Sequence, residues 1–306
     1  SLAVNDNPAK RKRVVIIDCD LEAPGYLNFF YLSEHNGLRS GKKNGLVEFL
    51  SDAQLTSKPE DLDLNDYIVN VGLDNKDDFS YNNLDNVWLI PAGNLNEGYL
   101  DVELHRDRSN YLEGLAKVNL SSVNSVVNHF NCLLDKINET IQPDIILLDS
   151  RTGFNDVFGT AALYLSSWVV GFFGFSRQTQ PGLMTLLNEY YKPDNNFKLS
   201  IVFSIIPSNA TPDWLESHKQ QILDYINYTG SEGVDYPSFF YLHRNSILET
   251  IGTGDGKSDE EFVKLVHSNN FEDYKLIFES INNTYFRDSE TRFSVNTPAI
   301  TLRNTV

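Results

Sequence analysis

The sequence predicts an α/β fold, a mainly parallel twisted sheet with helices on both of its faces. Short apolar runs alternate with longer segments of helical period, the order expected of βα units. Several of the runs are continuously apolar rather than alternating, as strands are when helices cover both sheet faces. Two of them stop abruptly at carboxylates, in VVIIDCD (Val14–Asp20) and IILLDS (Ile145–Ser150). Strand ends of this kind form the edge where open α/β sheets bind ligands.

The predicted strands are Arg13–Asp18, Tyr67–Val71, Asn86–Pro91, Asp144–Asp149, Trp168–Phe175, Leu199–Ile206 and Ser238–Leu242. The strongest helical signal spans Ser122–Ile141, where Val123, Val126, Val127, Phe130, Leu133, Leu134, Ile137 and Ile141 repeat at i, i+3 and i+4. Pro143 stops that helix before the next strand. Further helices are expected in Gln180–Tyr191, Asp213–Tyr228 and Asp259–Ile281, and a polar surface loop in Asp74–Asp85. No internal repeat or clear linker interrupts the chain. It reads as one domain over residues 1–306, with a core at about 13–245 and a helical or irregular extension over 246–306.

The bulk composition narrows the function. Hydrophobic residues make up 41% of the chain and aromatics 12%, enough for a large core. No apolar run approaches the ~20 residues of a membrane span, and no signal-peptide pattern opens the sequence. Two cysteines, Cys19 and Cys132, fit reduced thiols in the cytoplasm better than a disulfide framework. A net charge of −17 argues against nucleic acid as a whole-surface partner. The basic run Lys10–Arg13 is small against that background and reads as a solvated helix end or loop. The opening SLAVNDNPAKRKR has no initiator Met and resembles a helix tail leading into a buried strand. It predicts that the natural N-terminus lies upstream of Ser1.

The carboxylates carry the chemistry. Period two places Asp18 and Asp20 on one side of their strand. Two like charges that close are costly unless a cation or water lies between them. A strand ending hhhhD, such as Ile145–Asp149, is what a nucleotide-hydrolysing fold uses to hold the water shell of Mg²⁺. The turn Ser150–Arg151–Thr152–Gly153 beyond it contains the glycine that lets backbone approach a terminal phosphate. The bland alternatives are strand-end carboxylates that cap helices, and Arg151 paired with Asp149 or Glu22 for structure alone. The six histidines show no metal-ligand spacing. Arg39–Gly45 is not a phosphate loop, since it lacks the Gly-x4-Gly-Lys-Ser/Thr order and a preceding strand.

With these residues in view, VVIIDCDLEAPG, NGLVEFL, VWLIPAGNLNEGYL and PDIILLDSRTG resemble, in order, the deviant-Walker ATPases of the ParA/MinD type, in the SIMIBI class of P-loop NTPases. The particular branch is one with DLEAPG and DSRTG boxes, and the likeness covers Arg13 to Ser208. It implies ATP and Mg²⁺ as cofactors. By this resemblance Asp18 and Asp149 help to hold the metal, Asp149 in the Walker B position. Asp20 takes the place of the switch I aspartate that polarises the attacking water. Ser150, Arg151, Thr152 and Gly153 match the switch II turn beside the γ-phosphate, and Pro207 and Ser208 become neighbours of the base. Ser204 stands where many relatives carry Asn. The family's KGG-x-GK-[ST] stretch does not occur in the 306 residues and is expected upstream.

The resemblance further implies a homodimer closing around two nucleotides, with a protein partner to be identified. Two other readings compete with the ATPase. One is a nucleotide-sensing or partner-binding module with little or no hydrolysis. The other is a haloacid-dehalogenase-type phosphatase, whose strand also ends in Asp-x-Asp; here Leu21 and Glu22 follow the pair in place of Gly-Thr.

Overall fold

The computed structural model describes residues 11–21, 26, 44–74, 84–94, 118, 123–150, 163–192, 197–207, 209–228, 235–243 and 272–285. Among them lie two sheets. The first has four strands in the order β2-β3-β1-β4: β1 (Val14–Asp18), β2 (Val69–Asn70), β3 (Val87–Ile90) and β4 (Ile145–Asp149). The second has three, in the order β5-β6-β7: β5 (Trp168–Phe173), β6 (Lys198–Ile206) and β7 (Ser238–His243). Every pairing is parallel except the short β2–β3 contact. The predicted mainly parallel α/β architecture therefore holds, with the described strands divided into two groups.

Side-chain alternation separates the core into faces. Val15, Ile17 and Cys19 point to one side of the first sheet. There they meet α1 (Leu46–Leu55) through Leu46, Phe49 and Leu50, and α3 (Val123–Thr140) through Val126, Phe130, Leu133 and Ile137. Val14 and Ile16 point to the other side, into a cluster with Val69, Val71, Val87 and Leu89, against which Tyr26 packs. In the second sheet, Leu199, Ile201 and Phe203 face α4 (Gln180–Tyr190) and α5 (Pro212–Tyr228). Val202 and Leu242 face the opposite way, toward Ile277 of α6 (Glu272–Tyr285). Helices thus cover both faces of that sheet, and part of the C-terminal extension belongs to its core.

The local causes are readable. At α1, Gly45 is the N-cap, and its N–H donates to Glu48 Oε2 at 2.8 Å. The same carboxylate accepts from the N–H of Asn94 at 3.1 Å, so one side chain joins the helix start to the turn after β3. Leu46 and Val47 donate to the carbonyls of Pro91 and Ala92. A Cβ at Gly45 would collide with the Pro91 carbonyl and lie 2.7 Å from the Gly93 main chain, which is why glycine stands there. Helix α3 ends at Gln142, whose φ of 52° is left-handed, before Pro143 blocks continuation.

Three expectations change at their edges. Tyr67–Val71 forms only a two-residue strand. Tyr67 closes a 3₁₀ turn by donating to Leu64, and Val71 opens the four-residue helix α2 (Val71–Asp74). The basic run is neither a patch nor simply solvated. Arg11 pairs with Asp85 at 3.7 Å, Lys12 with Asp144 at 3.8 Å, and Arg13 Nη1 donates to the Ile141 carbonyl at 2.8 Å. Residues 11–13 are in neither helix nor strand, in keeping with the loop reading, while 1–10 lie outside the described residues. Of the helix expected over Asp259–Ile281, residues 272 onward are described and helical, and that helix runs on to Tyr285.

Candidate functional site: a carboxylate pair at the strand ends

Asp18 and Asp149 are direct register partners at the carboxyl ends of β1 and β4. Paired positions on neighbouring parallel strands share a face, so both carboxylates lie on the side of Val14 and Ile16. The ladder continues one step further, with the N–H of Cys19 donating to the Asp149 carbonyl at 2.9 Å. Asp20 is held differently. Its N–H turns back to Asp18 Oδ1 at 3.1 Å, so the main chain at Asp20 supports the Asp18 carboxylate.

Two polar side chains are fully buried among the described residues, Asp18 and Ser200. Ser200 has a structural explanation, since its Oγ accepts the indole N–H of Trp168 at 2.9 Å. Asp18 is 2% exposed. Its carboxyl is pushed up to about 6, chiefly by desolvation and further by the charges of Asp149 and Asp20. Main-chain N–H groups of Asp20 and Tyr26 pull in the other direction. Asp149 is the more accessible partner. Its carboxyl is also raised, first by partial desolvation and then by the charge of Asp20, while a hydrogen bond from the Tyr26 hydroxyl lowers it. Two carboxylates sit side by side, one of them buried. That donor set suits Mg²⁺, which takes one or two carboxylates and completes its octahedron with water and phosphate oxygens. Among the described residues no group of three His, Cys, Asp or Glu side chains could hold a metal without outside ligands. Among the described residues the site offers a pair of carboxylates.

Ser150 follows the pair. Its Oγ is buried and has no hydrogen-bond partner among the described residues. Pro207 lies exposed just beyond β6. Arg151, Thr152, Gly153 and Ser208 lie outside the described residues. Sequence reasoning missed two contributors. Glu48 shows itself in retrospect, three residues after Gly45 at the start of an apolar run, which is capping-box spacing. Tyr26 has no such signature, because its partners come from two different strands. At the corresponding end of the second sheet, Phe175 stacks on Phe203 at 4.8 Å and meets Trp214 at 4.5 Å, while Trp214 lies 4.2 Å from His218.

No family model and no curated protein matches the sequence. Solved structures do match the fold. A putative plasmid partition protein from Borrelia burgdorferi B31, bound to AMPPNP, superimposes with a TM-score of 0.50 at 15% identity, covering 90% of this chain and 88% of that one. The apo form of McdA from Cyanothece gives a TM-score of 0.53 at 13% identity, covering 88% of each chain. A ParA family ATPase from Chlorobium tepidum TLS aligns at 14% identity over 79% of this chain and 75% of that one, with a TM-score of 0.45. The mainly parallel sheets and the first two of these superpositions agree: the chain shares the α/β fold of the plasmid partition protein and of McdA.

Proposed function

We propose that the protein is an ATP-binding, Mg²⁺-dependent switch that hydrolyses ATP and works as a nucleotide-controlled homodimer. The observation that carries this reading is the placement of Asp18 against Asp149, a partly desolvated carboxylate pair at the carboxyl edge of a parallel sheet. Asp18 and Asp149 would hold Mg²⁺ through its water shell, and the bound ion would neutralise charge on the phosphates. The Asp20 carboxylate, next to the turn that braces Asp18, orients the attacking water. The Ser150 hydroxyl, Thr152 and the Gly153 main chain serve the terminal phosphate, Arg151 steadies its charge, and Pro207 and Ser208 border the base. Most of the acceleration then comes from positioning and fixed electrostatics.

ATP binding also needs a phosphate loop. The same requirement favours one second reading, a nucleotide-sensing or partner-binding module, since the phosphate-loop motif does not occur in the 306 residues. The phosphatase reading has less support, because a nucleophilic Asp18 would have to reach phosphorus from a position 2% exposed.

The test is Asp20→Ala in the full chain, with ATP turnover and nucleotide binding measured together. Turnover falls at least about a hundredfold, the range for loss of a positioned proton-transfer group, while binding persists. Unchanged turnover removes Asp20 from its role. Binding with no turnover in the unmodified protein establishes the sensing module instead.

A further inference from the structure

We infer that Tyr26 is a positioning residue for the cation site, holding Asp149 as a ligand and tying the chain after β1 to the end of β4. This rests on the metal reading of the carboxylate pair proposed above. Two observations carry it. The Tyr26 ring packs against the cluster built from Val14, Ile16, Val87 and Leu89, on the sheet face where Asp18 and Asp149 project. Core packing, not chance, therefore fixes where the hydroxyl lies. The same residue donates twice: its main-chain N–H to the Asp18 carboxylate and its phenol O–H to the Asp149 carboxylate. It reaches both members of a pair that share no covalent neighbourhood.

The physical consequence is specific. A carboxylate at a strand end has free χ rotation unless something holds it, and a hydrogen bond from Tyr26 leaves its remaining lone pairs for a cation. Hydrogen bonds of this outer kind orient metal ligands, and their loss typically weakens metal affinity by about 10–100-fold. Tyr26 also lies six residues beyond Asp20. A contact from that segment to Asp149 makes the water-orienting turn and the metal-holding strand end move together, so the state of one is felt at the other.

The experiment measures Mn²⁺ affinity of the nucleotide-free full chain by electron paramagnetic resonance, for the unmodified protein, Tyr26→Phe and Asp149→Asn. Phenylalanine keeps the ring in its apolar cluster, and thermal melting checks that it does. Expected is a loss of affinity of about 10–100-fold in Tyr26→Phe at an unchanged melting temperature, and near-complete loss in Asp149→Asn. Binding lost in Asp149→Asn but unchanged or tightened in Tyr26→Phe overturns this inference alone and leaves the metal reading standing. No Mn²⁺ uptake by the unmodified protein overturns both. Should Tyr26→Phe melt early, the ¹³C carboxyl resonance of Asp149 in the unmodified protein decides. It moves on Mn²⁺-free Mg²⁺ addition together with the Tyr26 ring signals if the two are coupled, and independently of them if they are not.

Discussion

Strands β1 and β4 have nearly the same sequence logic, VVIID and IILLD, and lie side by side in register. Their surroundings differ sharply. Every residue of β1 is buried, since it lies between β3 and β4 with packed clusters on both faces. Strand β4 is the edge among the described residues, and Leu147 is 46% exposed. Two equivalent carboxylates therefore occupy unequal sites, one enclosed and strongly perturbed, the other accessible. The lesson is that an hhhhD run specifies a strand and a terminal acid, while position within the sheet decides how far that acid is desolvated. The enclosed carboxylate accepts the main-chain N–H of Asp20, while the other stays open to solvent.

The comparison can be broken most strongly through the apolar residues. Ile17→Ala, at a position with no exposure, should cost about 2–5 kcal/mol in chemical denaturation. Leu147→Ala should cost only about 0.5 kcal/mol, as at surface sites. Equal losses would mean β4 is enclosed in solution.

The acids sharpen the comparison next. The folded-state carboxyl of Asp18 sits at about 6, above the 3.8 of an ordinary aspartate, so the folded protein binds this proton more tightly than the unfolded chain does. Stability from this group is thus highest below about pH 4, declines as pH rises to about 6, and stays low above that. Asp18→Asn should raise stability at pH 7.5 by up to about 3 kcal/mol, with the gain vanishing near pH 3.5, as read from melting curves across pH. Asp149→Asn should act in the same direction but less, because water still screens its site. Stabilisation by removing a charge would mark Asp18 as kept for chemistry at the expense of stability.

The smallest effect concerns how each strand begins. Strand β1 is preceded by Arg13, whose side chain reaches the Ile141 carbonyl and whose N–H meets Asp144 Oδ2, both at 2.8 Å. Strand β4 begins after the left-handed Gln142. Gln142→Gly should stabilise by up to about 1 kcal/mol, since glycine takes φ of 52° without a Cβ penalty.

Much of this was legible in the sequence. All seven strands lie within two residues of the predicted runs at either end, and α3 follows its periodic residues closely, because burial on both faces and on one face leave distinct marks. Helix α1 left a shorter mark: the buried Leu46, Phe49, Leu50 and Ala53 stand at i, i+3, i+4 and i+7, a stripe of barely two turns. The partnership of Asp18 with Asp149 could be expected from two matching strand ends. Tyr26 could not, because its role depends on packing across β1 and β3 and on a hydroxyl meeting a strand more than a hundred residues away in the chain.

The tryptophans give the fold a practical property. Trp88 packs with the core of the first sheet, whereas Trp168 belongs to β5 and Trp214 stacks with Phe175 and His218 at the rim of the second. These are the three indoles of the chain. Replacing Trp88 with Phe leaves emission that originates in the second half alone, and replacing the other two isolates the first. The molecule thus carries separate optical reporters for its two halves, so unfolding of one can be timed against the other without any added dye.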